Sequence, residues 1–438
     1  MTFRSEKEKN MHELTSLIKK DMVPALGVTE PGAIAFAVAK AREYTKGELK
    51  KIKVKLNSGM YKNAFTCGIP NSDHVGNLYA AALGYIAGAP GEGLEALKYV
   101  TPEDDGKAEE MVKAGLVEAE LTGFTSDIYI SAEVTTDNGS VDVIIKDRHT
   151  NIVKILKDGE AVFAAEEKED TGKAEDDREE VHVIHKYSLK DMLDYVRTVP
   201  FSEISFVMDA YRVNMELFSE GLNSKRTTFA PQLLRMNGGE IFSKDEKKTA
   251  SLLCNTAIEA RVIGLDKPAM SITGSGAHGI IATLPLYAVC KIRGLSDEAL
   301  ARATMLSYLI CTYIKEYSGR LSAFCGCAIA AGTGMACGLC FLDGGGADAM
   351  ERVINNMASS ITGMICDGGN QGCTMKGVAA CNTAFDSCEF AMNGVSVERV
   401  HGINGNTPGD TMRNMGLIAS PGMVETERTI VGIQQGKM

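Results

Sequence analysis

Residues 364–380 read MICDGGNQGCTMKGVAA, and residues 322–340 read SAFCGCAIAAGTGMACGLC. The first stretch sets Cys366 and Cys373 on either side of a DGGNQG loop. Apolar positions recur at helical spacing in ADAMERVINNMASSITGM before it and TMKGVAACNTAFDSCEFAM after it, so the loop should join two helices. Gly368, Gly369 and Gly372 let the backbone turn tightly and approach a bulky inorganic centre without Cβ clashes. The second stretch offers a third thiolate, from Cys325 or Cys327. Three thiolates suit a 4Fe–4S cluster with one iron left open, and such an iron is a Lewis acid. Two close cysteine pairs, the usual spacing of structural zinc, are missing. Small buried apolar residues are the plain alternative for these cysteines.

Outward from this third of the chain, helical patterns dominate from Tyr187 onward. SLKDMLDYVRTV, EISFVMDAYRVNMELFSEGL and KDEKKTASLLCNTAIEARVIG are the clearest. Upstream the character is mixed. KKIKVKLNSG reads as a strand and NSDHVGNLYAAALGYIAG as a helix. DIYISAEVTTDNGSVDVIIKD is a hairpin turning at Asn138-Gly139, and NIVKILKDGEAVFAAE is another around Asp158-Gly159. EEKEDTGKAEDDREE (166–180) reads as a solvated charged connection. The expected class is therefore α+β: a large all-helical cluster-binding domain (187–438) with a smaller inserted α+β module (47–186). The N-terminal helices (1–46) should pack on the helical domain, with Pro24 and Pro31 flanking a break and Thr29 and Glu30 at a helix start.

The 438 residues carry a formal charge of −11 and no basic stripe, which argues against nucleic acid or an anionic membrane as partner. Gly is abundant at 45 residues and Trp is absent, a mixture suited to close-packed helices with small residues at their contacts. The charged N-terminus lacks a signal peptide's apolar stretch. Leu321 to Leu342 reads as a buried helix interrupted by polar residues, not as a membrane span. Of twelve cysteines, nine fall from Cys311 to Cys388, and thiols kept reduced in the cytoplasm explain that crowding better than a secreted disulfide framework. Cys337 and Cys340 form a CxxC inside a helical pattern, the wrong place for a redox motif. A homo-oligomer is compatible with the sequence.

Gly274-Ser-Gly-Ala-His-Gly279 fits GxGxxG, and AMSIT before it can form a strand. A dinucleotide site would need a second strand ending in Asp or Glu about 20 residues on. IIATLPLYAVCKIRGLSDEALARATM instead stays helical, so neither NAD nor FAD is expected. A glycine-rich turn that opens a helix still offers N–H groups to an anion, and a substrate carboxylate is the natural one, with Ser275 and His278 adding contacts. A simple helix cap is the alternative role for that serine.

PALGVTEPGAIAFAVA, NSGMYKNAFTCGIPN, TGSGAHGIIATLP, SGRLSAFCGCAIAAGTGMA, CDGGNQGCTMKGVAA and MRNMGLIASPGMVETERTI, in that order, resemble the L-cysteine desulfidase family, which is related to the alpha chain of iron–sulfur L-serine dehydratases. The resemblance implies an oxygen-labile 4Fe–4S cluster, no pyridoxal phosphate, and elimination of hydrogen sulfide or water from a small amino acid to give pyruvate and ammonia. It implies Cys327, Cys366 and Cys373 as ligands, Cys327 being preferred to Cys325 by its distance from AIAAGTG. It further implies Thr29, Tyr61, Asn63, Gly274, Ser275 and Gly276 at the substrate and Glu30, Lys62 or His278 in catalysis, with a surface-strand lysine as the plain alternative for Lys62. One position departs. The desulfidases carry Gly-Cys-Thr-Glu-Pro, whose cysteine takes the α-proton, whereas this chain reads Gly27-Val28-Thr29-Glu30-Pro31. Another base (Glu30, Lys62, Cys67 or His278), another substrate, or a cluster protein without elimination would each account for Val28. The dehydratases' cysteine at the extreme C-terminus is also absent, since none follows Cys388.

Overall fold

The computed structural model describes residues 12–165, 182–319 and 321–437. Helix α1 (Glu13–Asp21) leads to strand β1 (Val23–Leu26) and helix α2 (Thr29–Tyr44). Strand β2 (Leu49–Asn57) runs into α3 (Ser58–Ala64), followed by α4 (Asn77–Ala87) and α5 (Pro102–Lys113). Strands β3 (Val117–Gly123), β4 (Tyr129–Thr136), β5 (Gly139–Lys146), β6 (Ile152–Lys157) and β7 (Glu160–Ala164) come next. Their sheet has the order β3-β2-β4-β5-β6-β7. β2 and β3 are parallel and the other pairs antiparallel. Alternation explains how it lies: Ile130, Ala132 and Val134 of β4 and Val141, Val143 and Ile145 of β5 are all buried. Their two strands meet at Thr136↔Gly139, the turn expected around Asn138. The buried face receives α2, whose residues from Thr29 to Ala39 are buried. The N-terminal helix of the chain's TEPGAIAF segment thus packs on the sheet.

The second half is helical: α6 (Leu189–Thr198), the short α7 (Phe201–Ile204), α8 (Asp209–Asn223), α9 (Phe229–Met236) and α10 (Glu246–Val262). A strand, β8 (Pro268–Ser271), precedes α11 (Gly276–Arg293) and α12 (Asp297–Ser318). A π-helical turn (Cys327–Ala331) then opens α13 (Gly332–Leu342), and α14 (Ala347–Ile361), α15 (Gly372–Met392), α16 (Pro408–Ala419) and α17 (Val424–Gln435) complete the fold. The architecture is mixed α+β with a predominance of helix. Small residues do set the helix spacing: a Cβ on Gly334 of α13 would collide with the Ser307 carbonyl of α12. Ser188 and Thr407 start α6 and α16 with reciprocal capping boxes.

Two expectations are adjusted. The helix foreseen from residue 71 begins at Asn77, because the preceding turn bridges Gly68 to Val75. Residues 321–325 are not helical, since Phe324 bridges Ile365 and Cys325 N donates to Met364 O at 3.0 Å. The charged connection at 166–180 lies outside the described residues. β1 pairs antiparallel with β8, from Val23↔Ser271 to Leu26↔Pro268, and so joins the start of the chain to the helical half. No helix among the described residues is long and apolar enough to cross a membrane.

Candidate active site

Three helix starts and the paired cysteine segments surround one cleft of about 280 Å³. Its lining includes Glu30, Asn63, Gly274, Ser275, His278, Cys327 and Cys366, so seven of the sequence-derived candidates share one space. The backbone explains why the thiols lie there. Cys366 N donates to Ala323 O at 2.5 Å, and with the Cys325–Met364 bond this zips the SAFC segment to the MIC segment. Cys373 stands in the first turn of α15, and its Sγ donates to Gly368 O at 3.4 Å. Cys325 is buried behind the cleft, whereas Cys327 and Cys366 open into it.

The thiols are desolvated. Burial pushes Cys366 up, against the opposing pull of the Lys62 and Lys376 ammonium groups. Burial likewise pushes Cys373 up to about 12. Each of these two thiols also feels the field of Cys325, so three sulfurs and Lys376 form one electrostatic group. Among the described residues, no three His, Cys, Asp or Glu side chains close on a point that a single metal ion could occupy. A tetrahedral ion bound at about 2.3 Å would hold its sulfurs only about 3.8 Å apart. An iron–sulfur cluster spreads its thiolates more widely, and the partly open thiols with two lysines to offset charge have the right donor chemistry for one.

His278 has the clearest geometry of the titratable groups. The Thr273 hydroxyl donates to Ile272 O at 2.7 Å and stands 2.5 Å from His278 Nδ1. With its own proton committed, that hydroxyl accepts from Nδ1–H, which leaves the lone pair on Nε2. A Cβ on Gly326 would lie 2.7 Å from Nε2, so glycine keeps the imidazole edge clear beside Cys327. Burial, reinforced by the charges of Lys315 and Arg261, pushes His278 well below the ordinary 6.5 and keeps it neutral.

Glu30 has the opposite character. Burial pushes its carboxyl up, but His149, the Asn63 amide and Arg261 outweigh that and hold it below the usual carboxylate range. Asn63 Nδ2 donates to Oε1 at 2.8 Å, Thr29 Oγ1 donates to Oε2 at 3.1 Å, and His149 Nε2 stands 4.0 Å from Oε1. An ionised carboxylate so held by its neighbours is a good partner for an ammonium group. Ser275 precedes α11 without a side-chain capping bond, so the helix-cap role is not the one it fills. Gly276 packs instead against Arg261, since a Cβ there would meet Nε at 2.8 Å.

The remaining candidates lie behind the cleft wall. Tyr61 is buried beside Phe65, and its carbonyl accepts from Asn77 Nδ2. Lys62 is not a surface-strand lysine but a fully buried helical one, with Nζ 2.8 Å from both Glu427 Oε2 and Ser322 O. Cys67 is also fully buried, and desolvation raises its thiol far above the ordinary range. Val28 is buried against the cysteine loop, because a Cβ on Gly369 would meet its Cγ1 at 2.9 Å. Sequence reasoning missed Lys315 and His149, which line the cleft, and Arg261 behind it. Lys315 had a readable signal: it lies one turn from Cys311 on the buried face of an apolar helix. His149 sits in the β5–β6 turn, with no local pattern to mark it.

Residues 91–432 match the family described as serine dehydratase alpha chain. A UPF0597 protein of Clostridium botulinum (strain Okra / Type B1) is 41% identical over 427 residues, covering 96% of this chain and 97% of its own. A UPF0597 protein of Caldanaerobacter subterraneus subsp. tengcongensis is 36% identical over 433 residues, covering 98% and 99%. A second protein of that name from the same Clostridium botulinum strain is 34% identical over 431 residues, covering 98% of each chain.

Proposed function

The chain belongs to the serine dehydratase alpha chain family, and on that premise we propose that it is an iron–sulfur-dependent lyase. It would remove sulfide or water from an L-cysteine-like or L-serine-like amino acid, and the aminoacrylate released would hydrolyse to pyruvate and ammonia. The observation that carries this reading is the single cleft that an ionised carboxylate, a neutral imidazole, an uncapped helix start and two open thiols share. Cys327, Cys366 and Cys373 would hold the cluster, Cys327 being chosen over the buried Cys325 because it opens into the cleft beside Cys366. Bound there, a 4Fe–4S cluster supplies a Lewis-acidic iron that lowers the basicity of the leaving group.

The chain's own groups do the rest. Glu30, oriented by Asn63 and Thr29, holds the substrate's α-ammonium. The first turn of α11 with the Ser275 hydroxyl holds the carboxylate. His278 Nε2 takes the α-proton, its tautomer fixed by Thr273, and so does the work that valine at position 28 cannot. Lys62, tied to Glu427 behind the cleft wall, takes no part in the transfer. The buried setting of the imidazole excludes water from this proton transfer.

Anaerobic purification with iron and sulfide reconstitution, followed by assay of pyruvate from L-cysteine and L-serine, tests the proposal. Bound iron without turnover of any β-substituted amino acid would overturn it. That outcome would favour a second reading, a non-catalytic iron–sulfur protein that binds a sulfur metabolite, which the Val28 side chain against the cysteine loop also suits.

A further inference from the structure

The C-terminal helix α17 faces the cysteine segments with two polar side chains seven residues apart on one side. Glu427 Oε2 accepts from Lys62 Nζ at 2.8 Å, and both side chains are almost wholly buried. The same ammonium donates to Ser322 O at 2.8 Å, at the start of the SAFCGC segment. Gln434 Nε2 donates to Asp367 O at 2.8 Å, within the CDGGNQG loop. Lys62 touches that loop as well, because a Cβ on Gly368 would stand 2.5 Å from the Lys62 carbonyl, and Gly369 N donates to Asn63 O at 3.0 Å. One helix therefore reaches both cysteine-bearing segments, through one ion pair and one amide.

We propose that α17 is a brace for the cysteine site and that Glu427 is a positioning residue, acting through Lys62 to hold Ser322 and the Cys366 loop in register. The pair suits this role better than that of a general stabiliser. A buried ion pair adds little net stability over apolar side chains of similar size, because desolvation offsets the attraction. What it adds is direction: an ammonium with fixed partners can point only one way. Ser58, Ser322 and Glu427 also line a small pocket of about 10 Å³ beside the pair, and Ser58 Oγ, Ser322 Oγ and Glu427 Oε1 are buried there without a hydrogen bond among the described residues. That is room for one water, which would tie the second carboxylate oxygen to the same segment.

The inference deepens the lyase reading and rests on it for its consequence, but its test does not need turnover. Cys366 alkylation in the metal-free full chain, followed by mass spectrometry of the Cys366 peptide, reports loop order directly. For Glu427→Gln the rate should rise by about tenfold or more as the loop that half-covers the Cys366 thiol loosens. The reconstituted variant should also lose its iron faster than wild type during anaerobic gel filtration. A Glu427→Gln chain that folds, is alkylated at the wild-type rate and keeps its iron overturns the brace. If that variant does not fold, Lys62→Met with Glu427→Leu removes both charges and permits folding. Fast Cys366 alkylation in the folded double variant supports the brace, and a wild-type rate overturns it. Failure of pyruvate production in every preparation would overturn the lyase reading and leave the alkylation result standing.

Discussion

Two glycine-rich turns open helices in this molecule, DGGNQG before α15 and TGSG before α11, and they are built for opposite ends. The first is closed on itself. Asn370 Oδ1 accepts from Gly372 N at 2.8 Å, Lys376 pairs with Asp367, and Gly368 takes φ +106° to lie on the Lys62 carbonyl. The second is open. Gly274 takes φ +76° with nothing nearer its missing Cβ than His149 at 3.8 Å, and Ser275 leaves the helix start uncapped toward the cleft. Glycine thus serves close packing of backbone in one turn and leaves space beside the cleft in the other. In the second turn Thr273 N donates to Asp21 Oδ2 and Ser275 N to Ile272 O at 3.1 Å, so only the first turn of α11, which no side chain caps, offers amides to an anion.

The sharpest way to break this contrast is at the closed turn. Cys366→Ser should abolish cluster binding and turnover together, read by iron content and visible absorbance, while the circular dichroism spectrum stays unchanged. Retention of iron at the wild-type level would remove the closed turn from the cluster's seat. Cys325→Ser against Cys327→Ser sharpens the same point, because only the latter should lose iron. Next in size is His278→Gln, expected to lower kcat by about 10²–10⁴-fold with iron content intact, the range for a lost general base. An unchanged kcat would send the search for the base elsewhere.

At the open turn the effects should be smaller and of another kind. Ser275→Ala should raise KM by roughly tenfold with little change in kcat, as for one lost hydrogen bond to a charged group. An equal fall in kcat would mean that the turn acts on the transition state as well. The smallest effect belongs to Asn370→Ala, which removes the bond to Gly372 N and should cost about 1 kcal/mol in urea unfolding. If this variant instead changes KM and leaves stability alone, the two turns do not differ in the way described.

The contrast also marks what could be read without coordinates. Local signals were legible: Asn138-Gly139 and Asp158-Gly159 announced their hairpins, and the helices around Cys366 and Cys373 followed from periodicity. The joining of Glu30, His278 and the thiols in one cleft needed the resemblance, because the residues come from three distant parts of the chain. Long-range pairings left no trace in the sequence. Lys62 meets Glu427 across 365 positions, and neither is flanked by a pattern that names the other. The seating of α2 on the sheet was hidden for a similar reason. Its residues are small and apolar on every side, so no stripe shows which neighbour it will face. Phe324 lies in an apolar run that reads as helix, and only its bridge to Ile365 makes it extended.

Val28 rests directly on Gly369, with the thiol-bearing loop on the far side of that contact. Cysteine is smaller than valine, so a thiol could enter here without moving the loop, whereas leucine would press on Gly369. Position 28 is therefore a place where a side chain no larger than valine can be exchanged while the scaffold stays as it is. A lineage could acquire or shed a thiol at this spot by one replacement, and only the replacements that enlarge it would be punished by the fold.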